Sequence, residues 1–108
     1  MGSTLATLAV VLEQRKSASP RSSYVAGLYA GGIDGILKKV GEEATELVLA
    51  GKGDDNRAIV RETADLWFHT LVLLAHREIP HEAVLEELEE RMGLSGLQEK
   101  AARRAKSD

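Results

Sequence analysis

Cysteine is absent from this 108-residue chain. That excludes a disulfide framework and any thiolate metal site. Aromatic residues are scarce, with one Phe, one Trp and two Tyr. A core must therefore come from Leu, Val, Ile and Ala, which suits helix packing. There is no basic surplus: 14 Lys and Arg face 17 Asp and Glu, for a net charge of −3. Nucleic acid is therefore not an expected partner. Long hydrophobic runs are missing as well. The longest, Leu66–Ala75, is too short to span a bilayer and is interrupted by His69 and Thr70. Leu5–Leu12 is short and has no basic residues ahead of it, so it does not read as a signal peptide. These absences predict no membrane association and a cytoplasmic location. No H-E-x-x-H zinc motif and no G-x-x-x-x-G-K-[ST] phosphate loop occurs. The length suits one domain, residues 1–108. A chain this short leaves much of its surface open, so the core of a monomer is modest.

The chain does carry helical periodicity, and it shows no convincing strand, repeat or low-complexity tract. Thr4 followed by Leu5, Leu8, Ala9 and Leu12 predicts a first short helix with a cap. Residues 15–23 are polar, contain Pro20 and read as a loop. Ser23–Ala30 reads as a short helix that Gly31-Gly32 breaks. Asp34 can cap a helix running to about Ala50, where Gly51 and Gly53 stop it. Asp54 or Asp55 can start a long helix reaching about Arg77. Pro80 fits the first turn of another, with Val84, Leu85, Leu88 and Met92 on one face and Gly93 at its end. Ser95-Gly96-Leu97-Gln98 has the capping-box pattern of a short C-terminal helix. The fold class expected is all-α, a helical bundle of four main helices.

Acidic residues then stand out by their spacing. Glu43 and Glu46 are three apart, and so are Glu62 and Asp65. On a helix that spacing places both acids on one face. Two such helices facing each other would gather four carboxylates, which repel unless a cation lies between them. Hard divalent cations such as Mg²⁺ prefer oxygen ligands. On the helix from Asp34, the residues Ile36, Leu37, Val40, Ala44, Leu47 and Val48 form the expected core stripe, bordered by Lys39, Glu42, Glu43 and Glu46. The next helix is apolar nearly all round and is expected to be buried, between layers or subunits. Glu62, Asp65, His69 and His76 share an arc of about 60° on it. An unpaired carboxylate there is costly to bury, and a cation removes that penalty. A ferritin-type di-iron site needs Glu-x-x-His, whereas the partner here is Asp65. His69 reads as a hydrogen-bonded core residue rather than a ligand; His76 and His81, near helix ends, read as surface residues. Gly31-Gly32-Ile33-Asp34-Gly35 could seat a phosphate at a helix N-terminus or be a plain turn.

The acid pattern, E-E-x-x-E followed after a spacer by E-x-x-D, resembles the signature of the MazG-like superfamily of all-α nucleoside triphosphate pyrophosphohydrolases. The flanking residues narrow it. Ser23-Tyr24-Val25-Ala26-Gly27-Leu28, Gly32 to Ile36, Lys38-Lys39-Val40-Gly41-Glu42-Glu43-Ala44-Thr45-Glu46, Ala64-Asp65-Leu66-Trp67-Phe68-His69 with Leu71 to Leu74, and Arg91 to Ala101 are similar to the phosphoribosyl-ATP pyrophosphohydrolase family. One departure is that Phe68 stands where the family often has tyrosine, so no role of that hydroxyl carries over. His69 is retained.

The resemblance implies Mg²⁺-dependent hydrolysis of phosphoribosyl-ATP to phosphoribosyl-AMP and pyrophosphate, an early step of histidine biosynthesis. It also implies a homodimer whose helices form a shared bundle. Glu43, Glu46, Glu62 and Asp65 would hold the metal. Glu42, Glu46, Glu62 and Asp65 are the catalytic candidates, with Glu42 as outer ligand or general base. Lys38 and Lys39 could reach the phosphates, Lys39 being better placed on the wheel. Arg15, Ser23, Tyr24 and His69 are candidates for holding the rest of the substrate, and Arg21 is a further one. The alternative is a MazG-like house-cleaning enzyme that acts on another nucleoside triphosphate. A non-catalytic dimerisation module is disfavoured, because solubility does not call for acids along an apolar helix.

Overall fold

The computed structural model describes residues 2–93. Within them five α-helices follow one another: α1 (Gly2–Gln14), α2 (Tyr24–Gly31), α3 (Ile33–Lys52), α4 (Asn56–His76) and α5 (His81–Met92). A short 3₁₀ turn, Arg15–Ser17, continues α1. The all-α expectation holds. The capping-box segment at Ser95–Gln98 lies outside the described residues.

Local chemistry explains the helix ends. The Ser23 hydroxyl accepts from the Ala26 amide and caps α2. Asp55 accepts from the Arg57 amide at 2.9 Å and caps α4. Between α2 and α3 a single residue, Gly32, makes the turn at φ 85°, a left-handed conformation that glycine adopts without a side-chain clash. This moves the start of α3 forward. Asp34 does not cap it but lies in its first turn, where a negative charge still favours the helix dipole. Similarly, α1 begins at Gly2, upstream of Thr4, and Pro80 sits just ahead of α5 rather than inside its first turn.

α3 and α4 form the most extensive helix pairing. Three residues, 53–55, separate them. The core is small. Leu12, Val25, Ile36 and Val72 are its buried centre, one from each of α1 to α4. Leu8, Leu28, Tyr29, Phe68 and Leu71 pack around them. One expectation needs correction here. Leu37 and Val48, expected in the core stripe of α3, are 47% and 65% exposed in the single chain. On α4, expected to be covered between layers or subunits, Val60 and Trp67 are 67% and 50% exposed in the single chain. The apolar stripe is wider than one 92-residue layer of helices can cover. His81 is also buried rather than on the surface, with Nδ1 3.2 Å from Glu82. His76 is half-buried and stacks on the Tyr29 ring at 6.1 Å. No helix among the described residues is long and apolar enough to cross a membrane.

Candidate functional site

The α3–α4 pairing brings the two acid motifs together. One carboxylate oxygen each from Glu43, Glu62 and Asp65 lies within 4.8 Å of the others. Glu43 is the most enclosed, its side chain 13% exposed, while Asp65 opens to solvent. Glu46 is outside this trio, one turn along α3, yet its charge is felt at Glu62. The Glu62 carboxyl is raised above its ordinary value of 4.5, first by partial burial and then by repulsion from Asp65, Glu46 and Glu43. Such mutual repulsion is the electrostatic condition a cation relieves.

A fit test uses the donor set. All donors are carboxylate oxygens, which suits a hard divalent ion. One oxygen from each of the three carboxylates lies within 4.8 Å of the others, close enough for the group to share one cation. The acidic group fits a divalent metal.

Lys39 stands over the same cluster. Its ammonium is 3.3 Å from Glu43 and 3.8 Å from Glu42. The hydrogen bond from Lys39 to Glu43 and the neighbouring Tyr24 phenol hold its pKa above the ordinary 10.5. It therefore stays charged at neutral pH and can face phosphate oxygens. Lys38 is exposed, and both lysines line an open cleft of about 540 Å³ with Glu42, Glu43 and Glu46.

Arg15, Arg21 and Ser23 line clefts that Tyr24 borders. Arg15, Ser22, Ser23, Tyr24 and Phe68 line one cleft of about 460 Å³. Arg21, Ser22, Ser23 and Tyr24 line a second of about 440 Å³. His69 is buried, as a core histidine should be. Its Nδ1 lies 2.8 Å from the Asp65 carbonyl and its Nε2 2.8 Å from the Tyr24 hydroxyl. Phe68 packs on the core and meets the His69 ring edge-on at 5.4 Å. The Tyr24–His69 bond spans 45 positions, and no periodicity along one helix could have announced it. The Lys39–Glu43 pair, in contrast, has the i, i+4 spacing that a helical wheel reveals.

Known proteins match along most of the chain. The family model for phosphoribosyl-ATP pyrophosphohydrolase matches residues 5–92. A phosphoribosyl-ATP pyrophosphatase of Trichlorobacter lovleyi is 60% identical over 94 residues, 87% of this chain and 87% of that protein. One from Methylococcus capsulatus is 57% identical over 97 residues, covering 90% and 92% of the two chains. One from Methylibium petroleiphilum is 55% identical over 103 residues, covering 95% and 86%. With paired acid motifs meeting across α3 and α4 and relatives matching along most of its length, the chain belongs to the phosphoribosyl-ATP pyrophosphohydrolase family.

Proposed function

We propose that this chain is a Mg²⁺-dependent cytoplasmic enzyme of histidine biosynthesis. It hydrolyses phosphoribosyl-ATP to phosphoribosyl-AMP and pyrophosphate. One domain, residues 1–108, carries the activity and works as a homodimer. The observation that carries the reading is the convergence of Glu43, Glu62 and Asp65 from two helices onto one point.

In this reading those three acids hold the ion, and Glu46 extends the ligand set from the next turn of α3. When bound, Mg²⁺ neutralises charge on the phosphate oxygens and on the leaving pyrophosphate. Lys39 adds a fixed positive charge beside the same oxygens. Glu42 is exposed at the cleft rim, where it can orient a water and take its proton. Arg15 and Ser23 bind the phosphoribosyl end. Release of pyrophosphate requires the chain of three phosphates to be cut between the first and second. Acids beside Lys39, and arginines in the two clefts that Tyr24 borders, suit a substrate with phosphate groups at both ends.

Product analysis tests this directly. Incubation with phosphoribosyl-ATP and Mg²⁺ is expected to yield pyrophosphate and phosphoribosyl-AMP in equal amounts, and chelation by EDTA to stop it. Pyrophosphate release from other nucleoside triphosphates but not from phosphoribosyl-ATP would overturn the substrate assignment.

A pH dependence follows from Glu62. Its carboxyl is raised in the fold, so its contribution to stability is fully present below the unfolded value and is lost as pH rises through the folded value. Above that window the ionised cluster repels itself until a cation binds. The rise in Tm caused by millimolar Mg²⁺ is therefore expected to be large at pH 8 and to shrink toward pH 5. Scanning calorimetry at the two pH values reads it. An equal Tm rise at both would show that the ion binds elsewhere.

A further inference from the structure

The bonds around His69 fix more than its position. A backbone carbonyl can only accept, so Nδ1, 2.8 Å from the Asp65 oxygen, must carry a proton. A neutral imidazole has one N–H, which leaves Nε2 bare and able only to accept. The Tyr24 hydroxyl, 2.8 Å away, must then donate to it. Tyr24 is thereby left with oxygen lone pairs alone to offer on its open side. Its side chain is half-exposed, and it borders both the Arg15 cleft and the Arg21 cleft. The ring is held in place by an edge-on contact with His69 at 5.8 Å.

We infer that His69 is a positioning residue that polarises Tyr24 into an obligate acceptor, and that Tyr24 reads a sugar hydroxyl of the substrate. This rests on the substrate proposed above and adds to it which group is read, and how. Phosphate oxygens are acceptors and find no proton on this Tyr24. A ribose hydroxyl can donate, and it is the one class of donor on the phosphoribosyl end. The arginines, which have donors only, take the phosphate. Arg15 thus offers donors and Tyr24 an acceptor within one cleft. His69 itself does not touch the ligand: it is buried, and both ring nitrogens are engaged.

Two measurements test this, one without any substrate. At pH 8, ¹⁵N NMR of the full-length protein labelled at histidine is expected to show His69 Nδ1 protonated and Nε2 unprotonated. A protonated Nε2 overturns the inference whatever the substrate proves to be. The second is kinetic, with phosphoribosyl-ATP. Tyr24→Phe is expected to raise KM roughly tenfold with kcat little changed, as loss of one hydrogen bond predicts. His69→Leu should do the same, and the Tyr24→Phe/His69→Leu double variant should be no worse than either single one. His69→Gln, whose side-chain oxygen can accept from Tyr24, should recover most of the loss. Circular dichroism confirms the fold of each variant. Additive losses in the double variant, or an unchanged KM for Tyr24→Phe in an enzyme that turns over, would overturn the inference alone. Failure of the wild type to release pyrophosphate would instead overturn the proposed function, and the NMR result would still stand or fall by itself.

Discussion

Asp65→Ala is expected to keep its helices and lose turnover by on the order of 10³-fold, the scale on which removal of one charge-stabilising group acts in an active site. The reason is geometric. Asp65 is one of only three acids among the described residues whose oxygens converge, and it is the one open to solvent. Removing it leaves Glu43 and Glu62 on their two helices with one ligand fewer for the ion. Because Asp65 is exposed, its loss leaves no buried polar group unpaired, and stability should change little. Glu43→Ala should fall as far in activity. It also removes the closest carboxylate of Lys39, at 3.3 Å, leaving Glu42 at 3.8 Å. Glu46→Ala should fall less, since Glu46 lies outside the trio. Steady-state pyrophosphate release, with circular dichroism on each variant, measures all three. Full activity in a folded Asp65→Ala enzyme would remove the metal assignment.

The second large effect concerns assembly. Val48, Leu49, Val60 and Trp67, all on α3 and α4, are half or more exposed in the single chain. Among the described residues the buried hydrophobics are few: Leu12, Val25, Ala26, Ile36 and Val72. A domain with so small a core gains from covering those side chains, at about 25 cal/mol per Å² of apolar surface removed from water. In the homodimer we propose, α3 and α4 would lie against their copies. A Val48→Glu/Val60→Glu variant is expected to sediment at the 11.7 kDa of one chain, and the parent at twice that mass. It should also melt well below the parent, because a carboxylate then occupies each copy's apolar face. Sedimentation equilibrium with parallel melting curves checks both. A parent protein that is monomeric at micromolar concentration, or a variant that still dimerises, would rule this face out.

Much of this protein was legible along the chain. Helical periodicity and glycine breaks placed the helices, and of the two acids offered as the start of α4 it is Asp55 that caps it. The spacing of Glu43, Glu46, Glu62 and Asp65 located the acids on two faces. Helix ends were harder. Gly32 can turn the chain in one residue, which no capping residue signals, and so α3 starts ahead of Asp34.

Burial was less legible. Leu37 and Val48 share the apolar face of α3 yet stay open in one chain, because periodicity tells which residues share a face but not what lies opposite. His81 went the other way: its place next to a helix end suggested the surface, and the packing buries it.

The sequence by itself determined the helical class, the acid motifs and the family resemblance, since these depend on residue type and local spacing. Only the tertiary structure decided which acids converge. Glu43, Glu62 and Asp65 meet because α3 and α4 pair in one register, while Glu46, with the same motif spacing, stays a turn away. It alone also joined Tyr24 to His69 across 45 residues. Local spacing fixes faces, but distances between faces depend on how helices pack.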